Sequence, residues 1–144
     1  MSGEIADEVL GLIEILQADA DVSAITSGRI FGMTLPRDEA GRQPRAAITI
    51  QPSGGPQTSF TSGTLPVQAV RVDIRCYAET IYLAGKIRRT VHRRMRVLYR
   101  EVSTSGILIH SANPAGGPTV LRDPDGDWPI VVAPWQVFAD ERTT

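Results

Sequence analysis

Between Val70 and Arg100 the apolar residues change their period from two to about 3.6, and that switch most limits the folds open to this chain. Val70, Val72, Ile74 and Cys76 alternate with Arg71, Asp73, Arg75 and Tyr77, the pattern of a strand with one dry and one wet face. Thr80 then stands where a helix N-cap belongs. Beyond it Ala84, Ile87, Val91, Met95 and Leu98 fall on one helical stripe, while Lys86, Arg89, Arg93, Arg96 and Arg100 gather on the opposite side. A strand feeding an amphipathic helix needs a sheet for that helix to cover, which points to an α+β domain.

The helical run from Thr80 to Arg100 carries seven of the fifteen basic residues. Such a face of permanently charged guanidinium forks suits phosphates, carboxylates or an acidic neighbour. The formal net charge of the whole chain is nevertheless -1. Much of the acid lies at the front, where Glu4, Asp7, Glu8, Glu14, Asp19 and Asp21 all precede Arg29, the first basic residue. A nucleic-acid-binding domain usually carries a basic excess overall. One acidic and one basic element suit self-association instead, with one copy presenting acid and the next base. Two other readings stay open: the two elements satisfy each other within one chain, or the arginines bind phosphates in a nucleic-acid-binding module.

With 144 residues and 42% hydrophobic content, a single domain over 1–144 is expected, burying roughly 68–70% of its unfolded surface. Cys76 sits in the alternating run and reads as a buried, inert thiol; one cysteine forms no internal bridge. The acidic N-terminus lacks the positive region of a signal peptide. No apolar run approaches the ~18 residues of a membrane span. The expectation is a protein of the cytoplasm when made, with no membrane partner.

The other elements follow from periodicity and turn chemistry. Glu4 to Ala18 reads as an amphipathic helix with Ile5, Val9, Leu12, Ile13 and Leu16 on its apolar stripe, Leu10 and Ile15 flanking it. Asp21 is a candidate cap for a short turn through Ile25 that Gly28 ends. Ile30-Phe31 is extended, and Ala46 to Gln51 alternates as a strand. The segment 52–64, rich in Gly, Pro, Ser and Thr, reads as a long flexible loop with one apolar side chain, Phe60. Gly106 to Ser111 is a short strand. Thr119 to Asp123 and Trp128 to Ala139 make a hairpin about Pro124-Asp125-Gly126. In the last strand Ile130, Val132 and Phe138 share one face, and Val131, Trp135 and Val137 share the other. A strand apolar on both faces is sandwiched or meets another subunit, and Pro134 suggests a bulge or an edge. The fold expected is a mainly antiparallel sheet of four or five strands with two helices packed on one face.

Catalytic and metal signatures are absent from the sequence. His92 and His110 have no metal-ligand companion at useful spacing. No Gly-x-Ser-x-Gly elbow, phosphate loop or dinucleotide fingerprint occurs. Asp123-Pro-Asp125-Gly-Asp127 alternates acids as a calcium loop does, but lacks the distal Glu and reads as a hairpin turn. No enzyme activity, cofactor or metal is expected.

Asp19-Ala-Asp-Val-Ser-Ala-Ile25, Gly28-Arg-Ile-Phe31 and Leu35-Pro-Arg-Asp38 together resemble the opening of a family found in tailed phages and prophages. Val72-Asp-Ile-Arg-Cys-Tyr77, the helix after it, and Val120-Leu-Arg-Asp-Pro-Asp-Gly126 resemble that family's strand, helix and final hairpin. Its members are tail terminator proteins, also called tail completion or head–tail joining proteins. The resemblance implies a homo-oligomeric ring, usually of six copies, in the virion at the head-proximal end of the tail. Such a ring caps the tail tube, ends its elongation and joins the tail to the head connector or stopper, and DNA passes through it without specific binding. Another virion joint, such as a head–tail stopper, is the alternative. A ring needs heterologous contacts, for which the apolar candidates are Leu10, Ile15, Val131, Trp135 and Val137. Arg89, Arg93, Arg96 and Arg100 are candidates for a charged rim. In the 52–64 loop, Gln57, Ser59, Phe60 and Thr61 are candidates for docking on the tail tube protein or an adjacent subunit.

Overall fold

The computed structural model describes residues 7–36, 44–53, 58–62, 65–122 and 128–140, with the backbone alone for 58–62, 65 and 66. In chain order these are α1 (Glu8–Ala18), α2 (Ala20–Thr26), β1 (Ile30–Gly32), β2 (Ala47–Pro52), β3 (Thr58–Ser62), β4 (Leu65–Tyr77), α3 (Ile81–Arg96), β5 (Tyr99–Val102), β6 (Leu108–Pro114), β7 (Thr119–Arg122) and β8 (Pro129–Asp140). The α+β class is as expected. The described residues, however, form one eight-stranded sheet with three helices, where the sequence suggested four or five strands and two helices.

The strand count rises because two strands are long enough to pair with two short ones end to end. β4 (13 residues) and β8 (12 residues) pair antiparallel from Val67↔Asp140 to Tyr77↔Ile130. On the outer side of β4, β2 takes Val72–Tyr77 and β3 takes Leu65–Ala69. On the outer side of β8, β6 reaches from Ala139 to Trp135 and β7 from Val132 to Pro129. β5 extends the sheet beyond β6, and β1 lies beyond β2 as the sheet's one parallel pair among the described residues. Thr58–Ser62, expected as part of an irregular loop, is therefore a strand. Its Ser and Thr residues find ladder partners on β4 that its local composition does not reveal.

Pro134 lies neither at a bulge nor on an edge strand. β8 is central, and Pro134 falls between the end of β6 and the start of β7. Its carbonyl accepts from the Ala115 N–H at 2.9 Å on that side, where its missing N–H would also have pointed. The inner ladder with β4 loses nothing.

Strand parity sorts the side chains. Val70, Val72, Ile74 and Cys76 of β4 join Val131, Ala133, Trp135, Val137 and Ala139 of β8 in the main core beneath the helices. A smaller cluster of Ala47, Tyr77, Trp128 and Ile130 occupies the opposite face, with Phe31, Leu35 and Val132 against it. Tyr77 and Trp128 meet edge to face there at 5.9 Å. Both apolar faces of β8 are thus spent in part inside the chain.

The helices are capped as their sequences dictate. Asp7 accepts from the N–H groups of Val9 and Leu10, and Thr80 Oγ1 accepts from Leu83 N–H at 3.2 Å. Asp19, not Asp21, caps α2, accepting from Val22 N–H at 3.0 Å. The left-handed pair Ser27 and Gly28 ends it.

The buried face of α1 includes Gly11 and Ile15 beside Val9, Leu12 and Leu16, so it is turned from the stripe read in sequence. Gly11 causes the turn: without a side chain it lets the helix settle on Ile107, and a Cβ there would lie 2.8 Å from Ile107 Cγ2. Gly85 of α3 has room, since a Cβ would meet only the Arg89 guanidinium at 3.4 Å. Gly11→Ala should therefore lower stability by about 1 kcal/mol or more, overpacking outweighing helix propensity. Gly85→Ala should raise it by about 0.5–1 kcal/mol. Urea unfolding of both variants checks the pair; equal shifts would mean that α1 does not rest closely on Ile107.

Candidate functional site: the outer face of the third helix

α3 buries Ala84, Ile87, Val91 and Met95 against β4 and β8 and turns its other side to solvent. Along that side Tyr82, Lys86, Arg89, Arg93 and Arg96 follow one another at steps of four and three residues, all exposed. The line is about 21 Å long at 1.5 Å per residue. Arg100, beyond the helix end, is also exposed and takes a left-handed conformation, φ 49°. Arg93, Arg94 and Arg96 in the last turn favour the negative end of the helix dipole.

Two arginines of α3 carry ion pairs inside the chain among the described residues. Arg93 pairs with Asp21 of α2, both side chains 66% exposed, a contact contributing about 0–1 kcal/mol. Arg94, only 19% exposed, reaches Glu101 of β5 at 2.6 Å and Asp19 at 3.9 Å. It ties α3 to both α2 and the sheet edge. Lys86, Arg89, Arg96 and Arg100 have no acidic partner among the described residues.

The described acids of the front are used within the chain; Glu4 lies outside the described residues. Asp7 and Asp19 cap helices, Glu8 accepts from Gln68 Nε2 at 3.4 Å, and Asp21 holds Arg93. Glu14 accepts from Ser105 N–H at 3.1 Å and Ser105 Oγ at 2.7 Å, pinning α1 to the turn before β6. The Ser105 hydroxyl bond, the largest influence, holds the Glu14 carboxyl below its ordinary pKa. That contact stabilises the fold above the carboxylate range and is lost as pH falls through it. Acid and base thus satisfy each other inside one chain at Asp21–Arg93 and Asp19–Arg94, and Lys86, Arg89 and Arg96 of the outer row are left over among the described residues.

The apolar interface candidates separate in the same way. Ile15, Val131, Trp135 and Val137 are all core residues, at most 5% exposed. They are corrected from interface anchors to core, because the helices cover that face of β8 and Gly11 rolls Ile15 inward. Leu10 stays at the surface, 40% exposed. Arg89, Arg93, Arg96 and Arg100 all reach solvent. Ser59, Phe60 and Thr61 lie on β3, opposite Gln68, Val67 and Pro66 in register, and Gln57 lies outside the described residues.

Sequence reading passed over the exposed apolar residues near this helix: Tyr82, Leu83, Val97, Tyr99 and Val102. A signal existed for three of them. Tyr82 is one step before Lys86 in the outer row. Leu98 ends the buried stripe, so its neighbours Val97 and Tyr99 must point elsewhere.

The remaining chemistry is structural. His92 lies against Trp135, ring centroids 5.2 Å apart, and burial first, then the charges of Arg88 and Arg96, lower its pKa. His110 Nε2 and Asp140 Oδ1 are 2.6 Å apart, joining β6 to the end of β8. Cys76 is buried, and burial pushes its thiol up to about 12, so it stays protonated and unreactive. A cleft of about 260 Å³ between α1, α3 and β5 is walled by charges already satisfied, Glu14 by Ser105 and Arg94 by Glu101. Among the described residues no group of three His, Cys, Asp or Glu side chains is placed to hold a metal ion. No described helix is long and apolar enough to cross a membrane.

No protein-family model matches the chain, and no curated protein matches it by sequence. Twenty-two chains of solved structures do match. One belongs to the virion of a native gene transfer agent particle, with 91% of this chain and 92% of that one covered, a TM-score of 0.64 and 13% identity. At that identity the likeness is one of fold.

The two kinds of arginine should respond differently to truncation. Arg94→Ala removes the partner of half-buried Glu101 and should cost about 1–3 kcal/mol. Arg96→Ala should leave stability within about 0.5 kcal/mol. Denaturant unfolding at neutral pH measures both, and equal losses would make the outer row part of the fold.

Proposed function

We propose that this chain is a structural virion protein of the tail terminator kind. In this reading copies form a ring, six by the family resemblance, on the head-proximal end of a phage-type tail. The ring ends elongation of the tail tube and offers the surface joined to the head connector. DNA passes through it without sequence-specific recognition. The observation that carries the reading is the correspondence of fold along nine-tenths of both chains with a subunit of a phage-like virion particle. The sequence resemblance to tail terminators, made on different grounds, points the same way.

The surface supports such a role. β5 and β1 end the main strand order and lie far apart in it, so each copy offers unlike edges there, beside the shorter ones of β3 and β7. Unlike edges suit the heterologous, head-to-tail contacts that close a ring. Exposed Leu10, Met33, Val102, Val120 and Leu121 supply apolar contact area near the elements at those edges and on α1 and β7. We assign docking on the tube or a neighbouring subunit to the β3 segment, Ser59, Phe60 and Thr61, and with it Gln57. A head–tail stopper would use the same kind of subunit, and the gene order around the coding sequence separates the two.

Native mass spectrometry of the concentrated protein, with negative-stain micrographs of assembled tails, tests the reading. A closed oligomer, seen as a ring alone or at the head-proximal tail end, is the expected result. A strict monomer in both settings would remove it.

A further inference from the structure

In the outer row of α3 only Arg93 is paired within the chain among the described residues, while Lys86, Arg89 and Arg96 are not. We infer that this row is a binding surface for the phosphate backbone of duplex nucleic acid, independent of base sequence. The inference stands apart from the ring reading: its surface is the outer face of α3, which meets the β5 edge only at Tyr99 and Arg100.

Three observations carry it. The first is the surplus of positive charge: Lys86, Arg89, Arg96 and Arg100 are exposed and lack acidic partners among the described residues, whereas Arg94, off the row on the flank of the helix, is paired and mostly buried. The row's nearest carboxylate is Asp21, held by Arg93 in an exposed pair that a phosphate can replace. Glu101 is bound to Arg94, and Glu79 precedes the helix. The overall charge of -1 argued against a polyanion while the acids were counted without positions. Placed in the structure, the described front acids, Asp7, Glu8, Glu14, Asp19 and Asp21, are caps and braces, so the described charges over α3 are locally positive.

The second observation is the order of residue types along the row. A protein–protein interface is apolar at its centre and charged at its rim. Here the arrangement is reversed. Arg89 and Arg93 occupy the middle, while Tyr82 and Tyr99, 76% and 73% exposed, flank the row at its two ends with Val97. Nucleic-acid interfaces are more polar and more positive than protein ones, and tyrosine hydroxyls are ordinary phosphate ligands. Of the row's four cations and Arg100 just beyond it, four are arginines, whose planar fork matches a phosphate's oxygens.

The third is geometry. The helical cations, Lys86 to Arg96, stand about 4.5–6 Å apart along the axis on a line of about 15 Å. A duplex presents one phosphate per about 3.4 Å of axis on each strand, so several of these side chains reach phosphates at once. Contacts of this kind need no base edge, since the phosphates alone supply the acceptors. Affinity is expected to be that of a non-specific site, multiplied where several copies face one duplex.

Fluorescence anisotropy of the full chain with a labelled random-sequence 30-base-pair duplex, from 50 to 200 mM salt, tests this. Binding should weaken with salt at a log–log slope of about -0.9 for each phosphate neutralised, and be the same for a second, unrelated sequence. Arg89→Glu with Arg96→Glu should weaken it at least tenfold and flatten the slope, while thermal unfolding stays that of the parent chain. Arg89→Lys with Arg96→Lys should restore most of the binding. No binding at 50 mM salt, or binding untouched by the reversals, overturns the inference. Capture of poly-glutamate in place of the duplex would also overturn it and assign the row to an acidic protein. A ring that ignores DNA removes this inference alone, and a DNA-binding monomer removes the ring alone.

Discussion

The pairing of β4 with β8 is the constraint on which the rest of the structure depends. Eleven residue pairs, Val67↔Asp140 through Tyr77↔Ile130, set one register for the centre of the sheet. That register places Val72, Ile74 and Cys76 on the same side as Val131, Trp135 and Val137, and makes a continuous dry floor for α1, α2 and α3. A slip of one residue would put Arg71, Asp73 and Arg75 beneath α3. The two long strands also leave room on their outer sides for four short ones, which could not form a sheet alone.

Covering that floor has an electrostatic consequence. α2 lies beside α3, so Asp19 and Asp21 meet Arg94 and Arg93, and α1 lies near the turn before β6, so Glu14 meets Ser105. The described acids of the front thereby become part of the chain's internal bracing. What remains outside is the opposite stripe of the same helix, positive, with Arg93 its one cation paired among the described residues. Packing and surface function are two faces of one periodic pattern: the residues at 84, 87, 91 and 95 go in, and those at 82, 86, 89, 93 and 96 stay out.

The parts legible in the sequence were those governed by local period. The alternation of β4, the stripe of α3, the Thr80 cap and the two-faced character of β8 are all present as written, and so is the inert Cys76. What the sequence concealed was decided by distant partners. β3 looks like linker because its residues are small and polar, and only β4 makes it a strand. Pro134 reads as an edge residue because the gap between β6 and β7 cannot be inferred locally. Trp135 and Val137 looked available to a neighbour because the helices that cover them come from elsewhere in the chain. Gly11 was hardest: an unremarked helical glycine turns α1 about its axis and draws Ile15 inside. For the site, the arginine row was visible at once, but its freedom was not, since that depends on which acids are occupied.

Native-state hydrogen exchange tests the central role of the β4–β8 ladder most directly. The amides of Val72 to Cys76 and of Val131, Ala133, Trp135 and Val137 should be the slowest in the chain, opening only with global unfolding. Those of β3 and β7, each paired on one side only, should exchange faster, through local opening. If β3 or β7 were protected as strongly as the central pair, or if β4 and β8 exchanged while α3 stayed closed, the sheet would not be organised around this ladder.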